Sequence, residues 1–198
     1  MRIARRMTVL AAVGLIVAAG CGPDADVEDD AAAGTETTPA PVAPGAGQLD
    51  DADIAAVVVA ANSIDVSYGE IARERATDER VKQFAEMMIT DHTAVNQSAG
   101  ELVARLGVTP TQNDVSRSLE SSAATTRESL LTKSGAEFDR AYIENEIAYH
   151  RAVLSALDET LIPGATNEEL KQTLVGVRPA FQAHLEHAES LLAALGGE

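Results

Sequence analysis

Residues 78–107 read DERVKQFAEMMITDHTAVNQSAGELVARLG, and their periodicity decides the fold. Phe84, Met88, His92, Val95, Ala99, Leu102 and Leu106 recur at steps of three and four, which puts them on one face of a helix. Thr77 is the expected cap, and Asp78 and Glu79 suit the positive end of the helix dipole. Gly107 supplies a left-handed stop, and Pro110 prevents continuation.

The same pattern extends on both sides. A helix over 51–76 carries Ile54, Val57, Val58, Ala61, Ile64, Tyr68, Ile71 and Ala72, with Asp50 or Asp51 as its cap. The connection to the next helix is so short that the two must pack antiparallel. Downstream, a helix over 136–161 carries Phe138, Tyr142, Ile143, Glu146, Ile147, His150, Val153, Leu154, Leu157 and Leu161. Ser134 to Glu137 reads as a capping box in front of it, and Pro163-Gly164 should break the chain after it. A last helix over 167–195 carries Leu170, Leu174, Val177, Phe181, His184, Ala188, Leu191 and Leu195 behind a second capping box, Thr166 to Glu169. Pro179 lies inside it and removes one backbone donor, so a bend is expected there. Residues 108–135 are rich in Ser and Thr, with only Val115, Leu119 and Leu130 at helical spacing. They predict a short extra helix inside a long connection.

No strand-like alternation competes. Four long helices, each with one apolar stripe, predict an all-α four-helix bundle over residues 50–198. The long middle connection permits a ferritin-like crossover; an up-down-up-down order is the alternative.

Before residue 50 the composition changes. Arg2, Arg5 and Arg6 precede an uncharged stretch from Met7 to Ala19, too short for a usual membrane span and right for a signal peptide. Residues 22–49 hold four of the seven prolines, six acidic residues and no basic one. Such a segment cannot bury enough surface to offset its ordering entropy, so it reads as a disordered tether. Fully extended it would span about 90 Å.

The chain carries 15 basic against 31 acidic residues, a formal charge of -16. That sign argues against nucleic-acid binding and against a basic face on anionic lipid. A single Cys makes no intrachain disulfide and no Cys-based zinc site. No glycine-rich phosphate loop, nucleophile elbow or Cys-His arrangement appears, so an enzyme is not expected.

Polar residues interrupt the apolar stripes. His92, His150 and His184 lie on three of them, Asp65 lies between Ile64 and Tyr68, and Glu146 stands one turn before His150. Counted at 1.5 Å per residue, their depths agree within about 5 Å if the third long helix starts at the turn between the first two, and the up-down-up-down order also brings them roughly level. A buried charge or imidazole costs free energy unless it is paired or bound. The five residues can settle that cost as a closed hydrogen-bond network, in a structural or interaction module of the cell envelope. They can also coordinate a transition metal, with donors suited to zinc, copper or iron. His187 is expected at the solvated edge, Asp91 to orient a neighbour or face water, and Met87 and Met88 to pack.

Two resemblances add to this reading. Ala18, Ala19, Gly20 and Cys21 resemble a bacterial lipobox. That resemblance implies cleavage after residue 20, a lipidated Cys21 and attachment to the membrane through its acyl chains. Gly22 after Cys21 implies the periplasmic face of the outer membrane if sorting follows enteric bacteria. Over about residues 50–195 the chain resembles the bacterial envelope family known as domain of unknown function 4142, a ferritin-like bundle. The resemblance rests on Ile64-Asp65, Ile71-Ala72, Val81 to Ala85, Met88, Asp91-His92, Phe138-Asp139, Tyr142, His150, Pro179 and His184-Leu185. The family usually has Glu where this chain has Asp65. Members are often exported or lipid-anchored, and the family name implies no activity. A di-iron oxidase needs Glu-x-x-His on two helices. Here Ile89 and Phe181 stand three residues before His92 and His184, which argues against one.

Overall fold

The first helix begins because Asp50 and Asp53 satisfy each other's backbone. Asp53 N–H donates to Asp50 Oδ1 at 2.8 Å, and Asp50 N–H donates back to Asp53 Oδ2 at 3.3 Å. The computed structural model describes residues 49–196. Within them every regular element is a helix: α1 (Asp51–Arg75), α2 (Glu79–Leu106), α3 (Asp114–Leu131), α4 (Gly135–Ala156), a π turn (Leu157–Leu161), α5 (Ile162–Gly164) and α6 (Glu168–Leu195). The expected signal peptide, Cys21 and nearly all of the expected tether lie outside the described residues.

The four expected helices are α1, α2, α4 and α6, with ends close to those predicted. Some local details differ. Asp78, not Thr77, caps α2, accepting from Arg80 N–H. Ser134 makes no side-chain cap bond to α4, and the left-handed Gly135 (φ 58°) makes the turn instead. Asn167 alone caps α6, accepting from Glu169 and Leu170 N–H. Pro163 does not break the chain. Ile162 N–H donates five residues back to Leu157 O, and Pro163 continues the helical path with no donor to satisfy.

The middle connection is longer and better ordered than its composition suggests. α3 has 18 residues, not a few turns at most. Asn113 and Ser116 form its capping box, and Val115, Ala123 and Leu130 bury one narrow face. Most of its Ser and Thr residues lie outside that face, although Ser116 is buried, and Thr125 bonds back to Ser121 O.

Hydrogen bonds fix the direction of every helix. Thr111 N–H donates to Ala52 O, and Asn113 Nδ2 donates to Asp53 O, so α3 starts beside the start of α1. Arg75 donates to the carbonyls of Leu131 and Lys133, so α3 ends beside the end of α1. α3 therefore carries the chain back along α1, and α4 starts at the α1–α2 turn. Two aspartates clamp this arrangement. Asp139, near the start of α4, accepts from Thr77 N–H (2.9 Å), Thr77 Oγ1 (2.5 Å) and Asp78 N–H (2.9 Å) at the start of α2. Asp51, at the start of α1, does the same for Thr166 and Asn167 at the start of α6. Thus α2 and α4 run one way, and α1, α3 and α6 the other.

α1 is apolar almost all round because α2, α3 and α4 all cover it. Its length and composition alone would let it cross a membrane, yet ten of its residues are buried within the domain. Gly69 brings it close to α2: a Cβ there would lie 2.9 Å from the Ile89 side chain and 3.0 Å from Ala85 O. The core is aliphatic with a few aromatic rings, and Tyr142, Phe84, Phe138, Ile54 and Met88 are its largest fully enclosed side chains.

Candidate metal centre

Halfway along the helices the apolar core gives way to charge-bearing groups. Asp65 comes from α1, His92 from α2, Glu146 and His150 from α4, and His184 from α6. All five expected residues meet, and none is more than 4% exposed. The three imidazoles form a near-equilateral triangle, with centroids 5.5, 5.4 and 5.4 Å apart. Asp65 Oδ2 lies 3.3 Å from His92 Nε2 and 3.7 Å from His150 Nε2. Glu146 Oε2 lies 3.6 Å from His150 Nδ1. Phe181 stacks on His92 at 4.9 Å and 17°.

The outer nitrogen of each ring has an acceptor, which sets the tautomers. Asn62 Nδ2 donates to Val58 O at 2.8 Å, so Asn62 turns its Oδ1 to His92 Nδ1, 2.7 Å away. His150 Nδ1 lies 3.0 Å from Glu146 O, a carbonyl that only accepts. His184 Nε2 lies 3.0 Å from Asp91 Oδ2. Each outer nitrogen is therefore the donor. The inner atoms, His92 Nε2, His150 Nε2 and His184 Nδ1, are then bare lone pairs. All three are buried without a hydrogen-bond partner among the described residues, as are both carboxylate oxygens of Asp65 and of Glu146.

Electrostatics follow from this enclosure. Burial pushes Asp65 up from 3.8 to about 8. Burial first, and Asp65 second, push Glu146 well above the usual carboxylate range. Burial lowers His92 to about 2 and His150 to about 4, helped by the neighbouring imidazoles. His184 is lowered as well, against the pull of Asp91. The Asp65–His92 contact has the separation of an ion pair, but these shifts leave both partners neutral near pH 7, so it is not one.

Two overlapping sets each offer ligand atoms within 4.8 Å of one another: His92, His150 and His184, and Asp65, Glu146 and His150. The cluster offers imidazole and carboxylate donors, the kind that zinc, copper and iron accept. The outer partners Asn62, the Glu146 carbonyl and Asp91 orient the imidazoles, as second-sphere groups do in metal proteins.

Other expectations resolve simply. His187 is exposed, with its ring edge against Phe84, and takes no part in the cluster. Met88 is buried and Met87 packs against the core from its edge. Tyr149 donates to Ala61 O at 2.9 Å, whereas the Tyr142 hydroxyl is buried without a partner among the described residues. Asn62 was not anticipated. The signal was available, because Asn62 stands three residues before Asp65 and so shares its helix face.

An all-helical domain with a buried imidazole–carboxylate cluster is the class that this geometry defines. Residues 36–191 match the family described as a domain of unknown function (DUF4142), and the chain belongs to that family. Its fold is similar to that of a DUF305 protein of Streptomyces coelicolor assigned as secreted. The TM-score is 0.61 at 16% identity, over 74% of this chain and 95% of that one. No curated protein matches the chain.

Proposed function

We propose that this protein is a metal-binding module of the bacterial envelope, built as a ferritin-like four-helix bundle. It takes one divalent transition-metal ion at the level of the three histidines. His92 Nε2, His150 Nε2, His184 Nδ1 and Asp65 are the ligands, and Glu146 is the second carboxylate of the site. The observation that carries this reading is the tautomer arrangement. Three imidazole lone pairs face one another beside two buried carboxyl groups, with no N–H among them and at most the carboxyl protons to share. Acceptors facing acceptors repel, and a cation is what turns that repulsion into attraction. One divalent ion also balances the charge of two carboxylates, so the loaded interior is neutral.

The return of the chain along α3 supports the ferritin-like assignment, since it makes α2 and α4 parallel. Export and anchoring rest on the basic start, the apolar stretch and Cys21. The assignment of the DUF305 neighbour as secreted agrees with export. Lipidated Cys21 and the tether would hold the domain off the membrane, on the periplasmic side of the outer membrane.

A second reading has one observation in its favour. With its carboxyl raised to about 8, Asp65 holds a proton near neutrality and can share it with His92. The cluster would then be a proton-satisfied network fixing helix register in a structural or interaction module of the envelope. Metal analysis of the purified full chain after exposure to zinc, copper(II) or iron(II) and removal of excess separates the two. The metal reading expects close to one ion per chain, lost in the His150→Ala plus His184→Ala variant. A folded wild-type chain that takes up none of the three metals supports the network reading instead.

A further inference from the structure

The cluster is sealed on nearly every side, yet an ion must be able to enter it. Asp65, His92, Glu146 and His150 are each at most 3% exposed. His184 is the ligand that reaches outward: its Nδ1 faces the cluster, and its Nε2 lies 3.0 Å from Asp91 Oδ2. The His184 side chain is 5% exposed and the Asp91 side chain 47%, so this one contact spans from interior to solvent. Among the described residues Asp91 has no Lys or Arg partner, and His184 is its one ion-pair contact. Its carboxylate is therefore not already neutralised. It also sits on a chain with a net charge of -16, which raises the local concentration of cations.

We propose that Asp91 is the entry station of the centre: its half-exposed carboxylate captures a divalent cation from solvent and passes it by way of His184 into the cluster. This rests on the metal reading above and adds a route to it. Capture at Asp91 displaces the hydrogen bond to His184 Nε2, which frees the imidazole that closes the α2–α6 side of the cluster. Once the ion has moved inward, Asp91 accepts from His184 Nε2 again and holds the ring with Nδ1 on the metal. Asp91 is thus a capture and positioning residue, not a ligand of the settled ion.

The two roles can be separated. Asp91→Asn keeps an oxygen that accepts from His184 Nε2 but removes the charge; Asp91→Ala removes both. Cobalt(II) is the probe, because its visible absorption reports arrival at the buried site. Stopped-flow uptake by the full chain should be fast and salt-sensitive in wild type. In Asp91→Asn it should be slower by roughly tenfold and less sensitive to salt. Release into excess chelator should slow by the same factor, leaving the equilibrium affinity little changed, because a station on the route acts on both directions. Uptake by Asp91→Asn at the wild-type rate would overturn the proposal. So would a loss of affinity arising wholly in the release rate, which would make Asp91 a positioning residue only. Absence of any cobalt signal in folded wild type would remove the metal reading itself, and the route with it.

Discussion

Asp65 Oδ2 lies 3.3 Å from His92 Nε2, which faces it as a bare lone pair. The His92 proton is on the far side of the ring, held by Asn62. Two lone pairs at that distance in an interior without solvent are tolerable only if a proton or a cation comes between them. On the proposed reading the cluster has two satisfied states, one protonated and one metal-loaded, and the predictions below follow from the competition between them.

The metal-free chain should lose stability as pH rises above neutrality. Burial raises Asp65 from 3.8 to about 8, so its contribution is full below pH 3.8 and is lost as pH climbs to about 8. Glu146 acts in the same direction. His92 and His150 are lowered from 6.5 to about 2 and about 4, so their contribution is full above pH 6.5 and is lost as pH falls through those values. Between pH 6.5 and 8 only the carboxyl groups act, at up to about 1.4 kcal/mol per pH unit for each. Urea titrations of the chelator-treated full chain across that range should show the midpoint falling. A midpoint that rises would mean that the carboxylates are ion-paired in the folded state.

Asn62→Ala should weaken metal binding and also cost about 1–3 kcal/mol of stability, because it leaves the buried His92 Nδ1–H without an acceptor. Asn62 touches no proposed ligand atom; it holds the His92 Nδ1 proton and so aims Nε2 inward. Loss of such an orienting partner typically lowers affinity by about 10- to 100-fold. Competition with a chromophoric chelator measures the affinity, and a thermal melt of the metal-free variant reports the folding. Unchanged affinity would mean that His92 is held by packing against Phe181 alone.

Asp139→Ala should be among the most destabilising single changes outside the cluster. Asp139 is 2% exposed and satisfies two orphan N–H groups and a hydroxyl at the start of α2. Their loss should cost about 2–3 kcal/mol. Asp51→Ala removes the corresponding clamp on α6, but there the bonds are exposed and water replaces them, so about 1 kcal/mol is expected. Urea denaturation of both variants checks the ranking, and equal losses would show that burial does not set the strength of the clamp.

These clamps also mark where sequence reading stops. The five cluster residues were legible because each breaks an apolar stripe, and a helix of known pitch then fixes their face and depth. Local caps were partly legible, as Asp50 illustrates. Asp139 and Asp51 were not, because their partners lie 61–62 and 115–116 residues away and no local pattern records such a pairing. α3 was read as too short because its Ser and Thr content lowers helix propensity, while its narrow buried face against α1 overrides that preference. Asp91 stands beside His92 in sequence but serves His184, 93 residues on.

Glu146→Gln separates the two states most sharply. The amide has the shape of the carboxyl but can neither ionise nor balance a cation. Without metal, Glu146 is raised well above the usual range and is neutral near pH 7. The replacement should then stabilise the metal-free chain at pH 7 already, because unfolded wild type gains an ionised carboxylate that the amide lacks, and the gain should grow as pH rises further. With metal, the same replacement leaves the buried site with one uncompensated positive charge. Removing one partner of a buried charge pair costs about 3–5 kcal/mol, so affinity should fall by roughly a hundredfold or more. Thermal melts at pH 7 and pH 9, with and without saturating zinc, read both effects on one protein. A variant that is stabilised without metal and fails to gain stability from zinc fits a binding site. A variant destabilised at pH 7 without metal, and indifferent to zinc like its parent, would mean that Glu146 belongs to a hydrogen-bond network that needs its acid proton.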